Sequence, residues 1–361
     1  MDLDRLAASL LVVGFPGQEV PAETGALVDR GISGAIFFKS NIGEPAEIAS
    51  LTAELKTRAA RPFLLCLDQE GGRVARLREG FTRVPPMRQV GAGGDAALAE
   101  AIGRILGEEC RAVGFDLDFA PVVDVDSNPL NPVIGDRSFG RRAALCGKLG
   151  AAMARGIQSA GVAACAKHFP GHGDTTQDSH ETLPRLPHDL ARLREVELPP
   201  FQALARAGVA SMMTAHVVFE ALDPALPATL SSKALGLLRE EIGFQGVLVS
   251  DDLEMGAIAE RWPVGEAAVQ AVLAGCDLLL VCHRADRQVE AIDALRRAAE
   301  QDDRIRDRLF EAANRVEKLR RRWAAAPTPF EPSRLRRPES VALLERLAAA
   351  AEVVRDPTER A

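Results

Sequence analysis

Between positions 167 and 180 the chain reads Lys-His-Phe-Pro-Gly-His-Gly-Asp-Thr-Thr-Gln-Asp-Ser-His, which gathers three of its six histidines, two aspartates and a lysine into one glycine-rich segment. Asp178 and His180 lie two apart, and an aspartate within reach of an imidazole holds its tautomer, leaving a group that can give and take a proton near neutrality. The pattern Asp-x-His is common by chance, so its weight comes from the segment around it. A second carboxylate, Asp251, follows the apolar run Gly246–Ser250, where a strand end would fix it rigidly as a nucleophile. Its neighbour Asp252 competes for that role unless it hydrogen-bonds inward or caps the next helix.

A third cluster, Asp68-Gln-Glu-Gly-Gly-Arg-Val-Ala-Arg76, sets acids, a glycine pair and two arginines directly after another apolar run. Such groups suit neighbouring sugar hydroxyls, because charge-assisted hydrogen bonds discriminate against an analogue that lacks one. The plainer account is a glycine turn with surface ion pairs. Arg137 would reach the same place from a loop after a fourth run. A metal site must also be weighed, since His168, His172, Asp174, Asp178 and His180 offer enough ligands for zinc or a metal pair. The spacing fits poorly, and Lys167 beside His168 would repel the cation. We therefore expect no metal and no cofactor, with His172 ordering the loop through backbone contacts.

What must position these residues is legible as alternation. Eight apolar runs (10–15, 34–38, 62–67, 117–123, 162–166, 210–218, 247–249 and 278–282) are separated by segments such as 44–59, 96–112, 141–160, 190–207 and 264–274, whose apolar spacing is helical. Near-continuous apolar strands alternating with helices imply a parallel sheet buried on both faces. Eight units favour an α/β fold of one domain, a closed (β/α)8 barrel of the triosephosphate-isomerase (TIM) type, over an open sheet. No glycine-rich phosphate loop follows the first strand, which weakens a dinucleotide-binding alternative. Lys39, Asp68, Asp124, Lys167 with His168, His216, Asp251 and His283 each fall just past a predicted strand, and in a barrel these ends converge on one mouth. We expect the barrel to span 1–323, followed over 324–361 by a linker and a charged tail with a helix over 340–353 and no catalytic role.

Composition narrows the class. Hydrophobic residues at 47% and charged residues at 26% describe a globular chain, and no apolar run approaches the roughly 18 residues that span a bilayer. The acidic start, Met-Asp-Leu-Asp, is unlike a secretory signal, so we expect a cytoplasmic protein with no membrane insertion. Six scattered cysteines without metal-ligand spacing are expected to be buried thiols. A net charge of -7 argues against nucleic acid and leaves a small molecule as the expected ligand.

Taken together, Lys167–His180, Asp68–Arg76 and Val249–Met255 resemble the family-3 glycoside hydrolases, in particular their bacterial NagZ-type β-N-acetylhexosaminidase branch. The similarity spans roughly 10–323. It implies a retaining glycosidase with Asp251 as nucleophile, His180 as general acid/base and Asp178 as its orienting partner. It further implies that Asp68, Arg76, Arg137, Lys167 and His168 hold a non-reducing N-acetylglucosamine. Glu254 stands where some relatives carry serine. The implied substrate is a saccharide with terminal β-linked N-acetylglucosamine, of the anhydromuramyl muropeptide class in peptidoglycan recycling, with chitin-derived oligosaccharides as the other possibility. A phosphorylase, in which phosphate replaces water, and a catalytically inactive sugar-binding barrel are the alternatives.

Overall fold

The computed structural model describes residues 2–59 and 61–353, the side chains of 350–353 excepted. Eight strands close a barrel in sequential order: β1 (Leu11–Gly14), β2 (Gly34–Phe37), β3 (Leu64–Leu67), β4 (Leu117–Asp118), β5 (Ala163–Phe169), β6 (Ser211–Thr214), β7 (Val247–Asp252) and β8 (Leu278–Val281). Every pairing is parallel, including β8 with β1, so the expected (β/α)8 architecture is the one observed.

Strand side chains alternate between two apolar environments. In β3, Leu64 and Cys66 point into the barrel with Val12, Ile36 and Leu117, whereas Leu65 and Leu67 pack outward against the helices. Both faces are therefore dry, which is why these strands read as continuous apolar runs. The helix Asp303–Trp323 contributes Val316, Leu319 and Trp323 to the inner cluster and plugs the N-terminal end of the barrel. Beside it Asp116 binds Lys56 and Arg111 and accepts the Ala325 backbone N–H, tying the chain after the plug to the barrel floor. Further on, Arg336 N–H donates to Glu109 Oε1, and a helix covers Pro338–Val353; residues 354–361 lie outside the described residues. All six cysteines are buried and unpaired.

Several expected boundaries move. Lys167 and His168 lie within β5, two and one residues before its end, and Asp251 lies within β7. Strand β6 stops at Thr214, and Val218–Phe219 pairs instead with Arg185–Leu186 above the barrel rim. The segment expected to be one helix over 190–207 carries a wider turn at Leu193–Glu197 before Leu198–Arg206, whose early Pro199 and Pro200 lack the N–H groups that a continuous helix would use.

Candidate active site

At the C-terminal mouth of the barrel lies a cavity of about 390 Å³. Its lining includes the eight residues that the resemblance assigned to catalysis or sugar binding, Asp68, Arg76, Arg137, Lys167, His168, Asp178, His180 and Asp251, whereas Asp174 pairs with His188 elsewhere. Of the other strand-end groups, His283 joins them at the rim. Lys39, Asp124 and His216 do not line it: Lys39 is exposed in a turn, and the other two are buried behind the wall.

One wall is an ionic network. Asp68 takes Lys167 Nζ at 2.7 Å on Oδ1 and Arg76 at 2.8 Å on Oδ2. Lys167 also lies 2.7 Å from Glu70 Oε1, and Glu70 accepts two 2.8 Å bonds from Arg137. Burial by itself would raise both carboxyls, but the surrounding cations outweigh it, holding Asp68 well below the usual carboxylate range and Glu70 at about 2. The same acids push Lys167 and Arg137 up against the opposing effect of burial. Five charged side chains are thus joined in one chain of ion pairs along this wall, and Arg76 keeps a buried Nε with no partner among the described residues. Glu70 was absent from the sequence candidates. Its signal was there, two positions after Asp68 in the same acidic segment, and it sits in the short strand Gln69–Gly71.

His168 is set by Asp124, whose carboxylate lies 2.7 Å from its Nδ1 and also accepts the His172 backbone N–H at 2.7 Å. One buried acid thereby orients a ring of β5 and the start of the following loop. Gly173 lets that loop press against the chain after β4: a Cβ there would lie 1.8 Å from the Val125 carbonyl oxygen. His172 does more than the expected backbone contacts. Its Nδ1 lies 2.8 Å from Thr175 Oγ1 and its Nε2 2.9 Å from Ser179 Oγ, and burial first, then the neighbouring His168, pulls its pKa down to about 4. A neutral ring therefore grips Ser179, while the residues on either side, Asp178 and His180, face the cavity. Asp178 Oδ1 lies 2.7 Å from His180 Nδ1.

Across the cavity, Asp251 Oδ1 accepts only the Asp252 backbone N–H, at 2.9 Å, among the described residues. Burial would raise this carboxyl, but His216 beneath it and His168 beside it bring it below its ordinary value, so it is an anion aimed at open space. Asp252 is otherwise occupied. Its Oδ1 accepts the backbone N–H groups of Glu254 and Cys282, and its Oδ2 lies 3.1 Å from His283 Nε2, which bridges the ends of β7 and β8. Glu254 Oε2 accepts the N–H groups of His283 and Arg284 ahead of helix Ala285–Gln301, away from the proposed chemistry. No group of three or more histidines, cysteines or acids is arranged to hold a metal among the described residues.

Residues 3–319 match the glycosyl hydrolase family 3 N-terminal domain. The chain is 39% identical over 305 residues to a protein named β-hexosaminidase from Alkalilimnicola ehrlichii, covering 82% of this chain and 86% of the relative. Among solved structures it resembles a family-3 β-N-acetylglucosaminidase from Paenibacillus sp., with a TM-score of 0.91 and 45% identity over 96% of this chain and 68% of that one. It also resembles NagZ from Neisseria gonorrhoeae in complex with N-trifluoroacetyl-D-glucosamine, with a TM-score of 0.73 and 33% identity over 85% of this chain and 98% of that one.

Proposed function

The chain belongs to glycosyl hydrolase family 3 and is a glycosidase of the β-hexosaminidase type, and on that premise we propose that it removes terminal β-linked N-acetylglucosamine with retention of configuration. Asp251 attacks the anomeric carbon while His180 protonates the departing oxygen; His180 then takes a proton from the water that releases the sugar from Asp251. Two displacements restore the β configuration. Asp178 orients His180. Asp68, Arg76, Arg137, Lys167 and His168, with Glu70 behind them, hold the sugar hydroxyls, and the spare Arg76 Nε–H is a donor available to one of them.

The observation that carries this reading is that Asp251, from a strand, and His180, from a loop, line the same cavity with complementary equipment. An unencumbered carboxylate faces an imidazole whose other nitrogen is already engaged. A histidine, cationic as the acid and neutral as the base, at no stage places a second anion opposite Asp251. In this reading catalysis resides in 1–323, the segment 324–361 has no part in it, and the substrate is a cytoplasmic muropeptide bearing anhydro-N-acetylmuramic acid. Among the described residues no helix is long and apolar enough to cross a membrane.

The test is product analysis on such a muropeptide with and without phosphate. Free N-acetylglucosamine under both conditions, first formed as the β anomer, is the expected result. A sugar 1-phosphate would replace hydrolysis by phosphorolysis, and no turnover of any N-acetylglucosaminide would leave only a sugar-binding barrel.

A further inference from the structure

The loop that carries His180 is seated on the segment that immediately follows Asp251. Gly256 N–H donates to the His180 carbonyl at 3.1 Å, and Ala257 N–H donates to the Ser179 carbonyl at 3.2 Å. Gly256 and Ala257 open the short helix Gly256–Ala259, whose N-cap Met255 offers no side-chain cap. Amides in a first helical turn have no carbonyl partner within the helix, so the loop supplies what the helix lacks. Beneath them Ala257 is fully buried with Leu183 and Val218, which gives the seat an apolar floor.

The approach is close enough to exclude a side chain. A Cβ on Gly256 would stand 2.6 Å from the Glu181 carbonyl oxygen and 2.8 Å from that of His180, and both obstacles are backbone. Neither can swing away as the end of a long side chain would. Gly256 has no left-handed backbone angle to justify its identity. The local backbone therefore does not call for glycine here, and the requirement comes from the loop.

We propose that Gly256 is a positioning residue for proton transfer: its bare backbone lets the stretch 179–181 dock beside the nucleophile segment, and this docking sets the His180 imidazole against the glycosidic oxygen. The inference rests on His180 being the acid/base. Asp251 and His180 then keep a fixed spacing because their two segments are joined directly by backbone hydrogen bonds, independently of the Asp178 contact. A side chain at 256 pushes the loop outward and moves the imidazole away while leaving Asp251, five residues earlier, on its strand.

The experiment compares Gly256→Ala, Gly256→Pro and His180→Ala in the full chain, on an unactivated N-acetylglucosaminyl disaccharide and on the 2,4-dinitrophenyl glycoside, with and without azide. Proline removes the amide donor as well as adding bulk, and it suits the first helical position after the extended Met255. For both Gly256 variants kcat/KM on the disaccharide is expected to fall about tenfold or more, a fraction of what loss of general acid catalysis costs, and much less on the aryl glycoside, which departs unaided. Azide, a nucleophile that needs no base, should raise the turnover of the aryl substrate in the same variants. Equal losses on both substrates, or none on the disaccharide, would overturn the role of Gly256 while a selective His180→Ala loss leaves the acid/base assignment standing. If His180→Ala is itself unselective, both fall together.

Discussion

Asp178 holds His180 at two points: its Oδ1 accepts the His180 backbone N–H at 2.9 Å and lies 2.7 Å from the ring Nδ1. With Nδ1 committed to the carboxylate, Nε2 is the nitrogen left to exchange a proton. His180 remains about two-thirds exposed, so this pairing and the neighbouring backbone hold its ring in place without help from a tightly packed pocket.

Asp178→Asn preserves an acceptor for the backbone N–H but removes the charge opposite the ring. We expect kcat/KM on an unactivated disaccharide to fall by roughly tenfold to a hundredfold, with a much smaller loss on the dinitrophenyl glycoside. Parallel Brønsted plots against leaving-group pKa check this; a slope unchanged from wild type would speak against the pairing.

The ionic wall should respond differently. Glu70→Gln deprives Arg137 and Lys167 of an anion at contact distance, and a buried hydrogen bond to a charged group is worth about 1.5–3 kcal/mol. We expect kcat/KM to drop by at least about tenfold to the same extent for good and poor leaving groups, because the groups that hold the sugar serve every substrate alike. A loss confined to poor leaving groups would instead place Glu70 in proton transfer. Because Glu70 is held near 2, its ionised partnership contributes fully above the unfolded value of 4.5 and is lost as pH falls toward 2.

His172 supplies a second pH term. Its folded pKa of about 4 lies below the ordinary 6.5, so the unfolded chain binds this proton first as pH falls. The stability associated with the neutral ring is complete above pH 6.5 and drains away down to about pH 4, amounting to roughly 3 kcal/mol at most. In His172→Gln this slope should vanish from urea unfolding between those pH values, and the grip on Ser179 should weaken. An identical pH dependence in the variant would rule the term out.

Much of the fold was legible because a barrel strand is dry on both sides. Runs such as Leu64–Leu67 or Leu278–Val281 carry that signal in four residues, and the helix Val264–Ala274 could be bounded from its apolar spacing alone. The chemistry-bearing loops were legible for a different reason: Asp178 and His180, or Asp68 and Arg76, are close in the chain as well as in space. What could not be read were relationships made across the barrel. Glu70 matters because Arg137, 67 positions away, meets it, and Asp252 is set apart from Asp251 by the Cys282 amide and His283 just past the end of the next strand. The placement of Lys167 and His168 inside β5 has the same origin, since polar side chains in a strand are tolerated only where Asp68, Glu70 and Asp124 await them.

The central claim, that Asp251 forms a bond to the anomeric carbon of the sugar, is tested most directly by trapping. A fluorinated N-acetylglucosaminyl fluoride that glycosylates quickly and turns over slowly should label the enzyme once, and peptide mapping by mass spectrometry should locate the sugar on Asp251. A label on Asp252 or elsewhere, or turnover through an α-configured first product with no covalent species at all, would contradict the account.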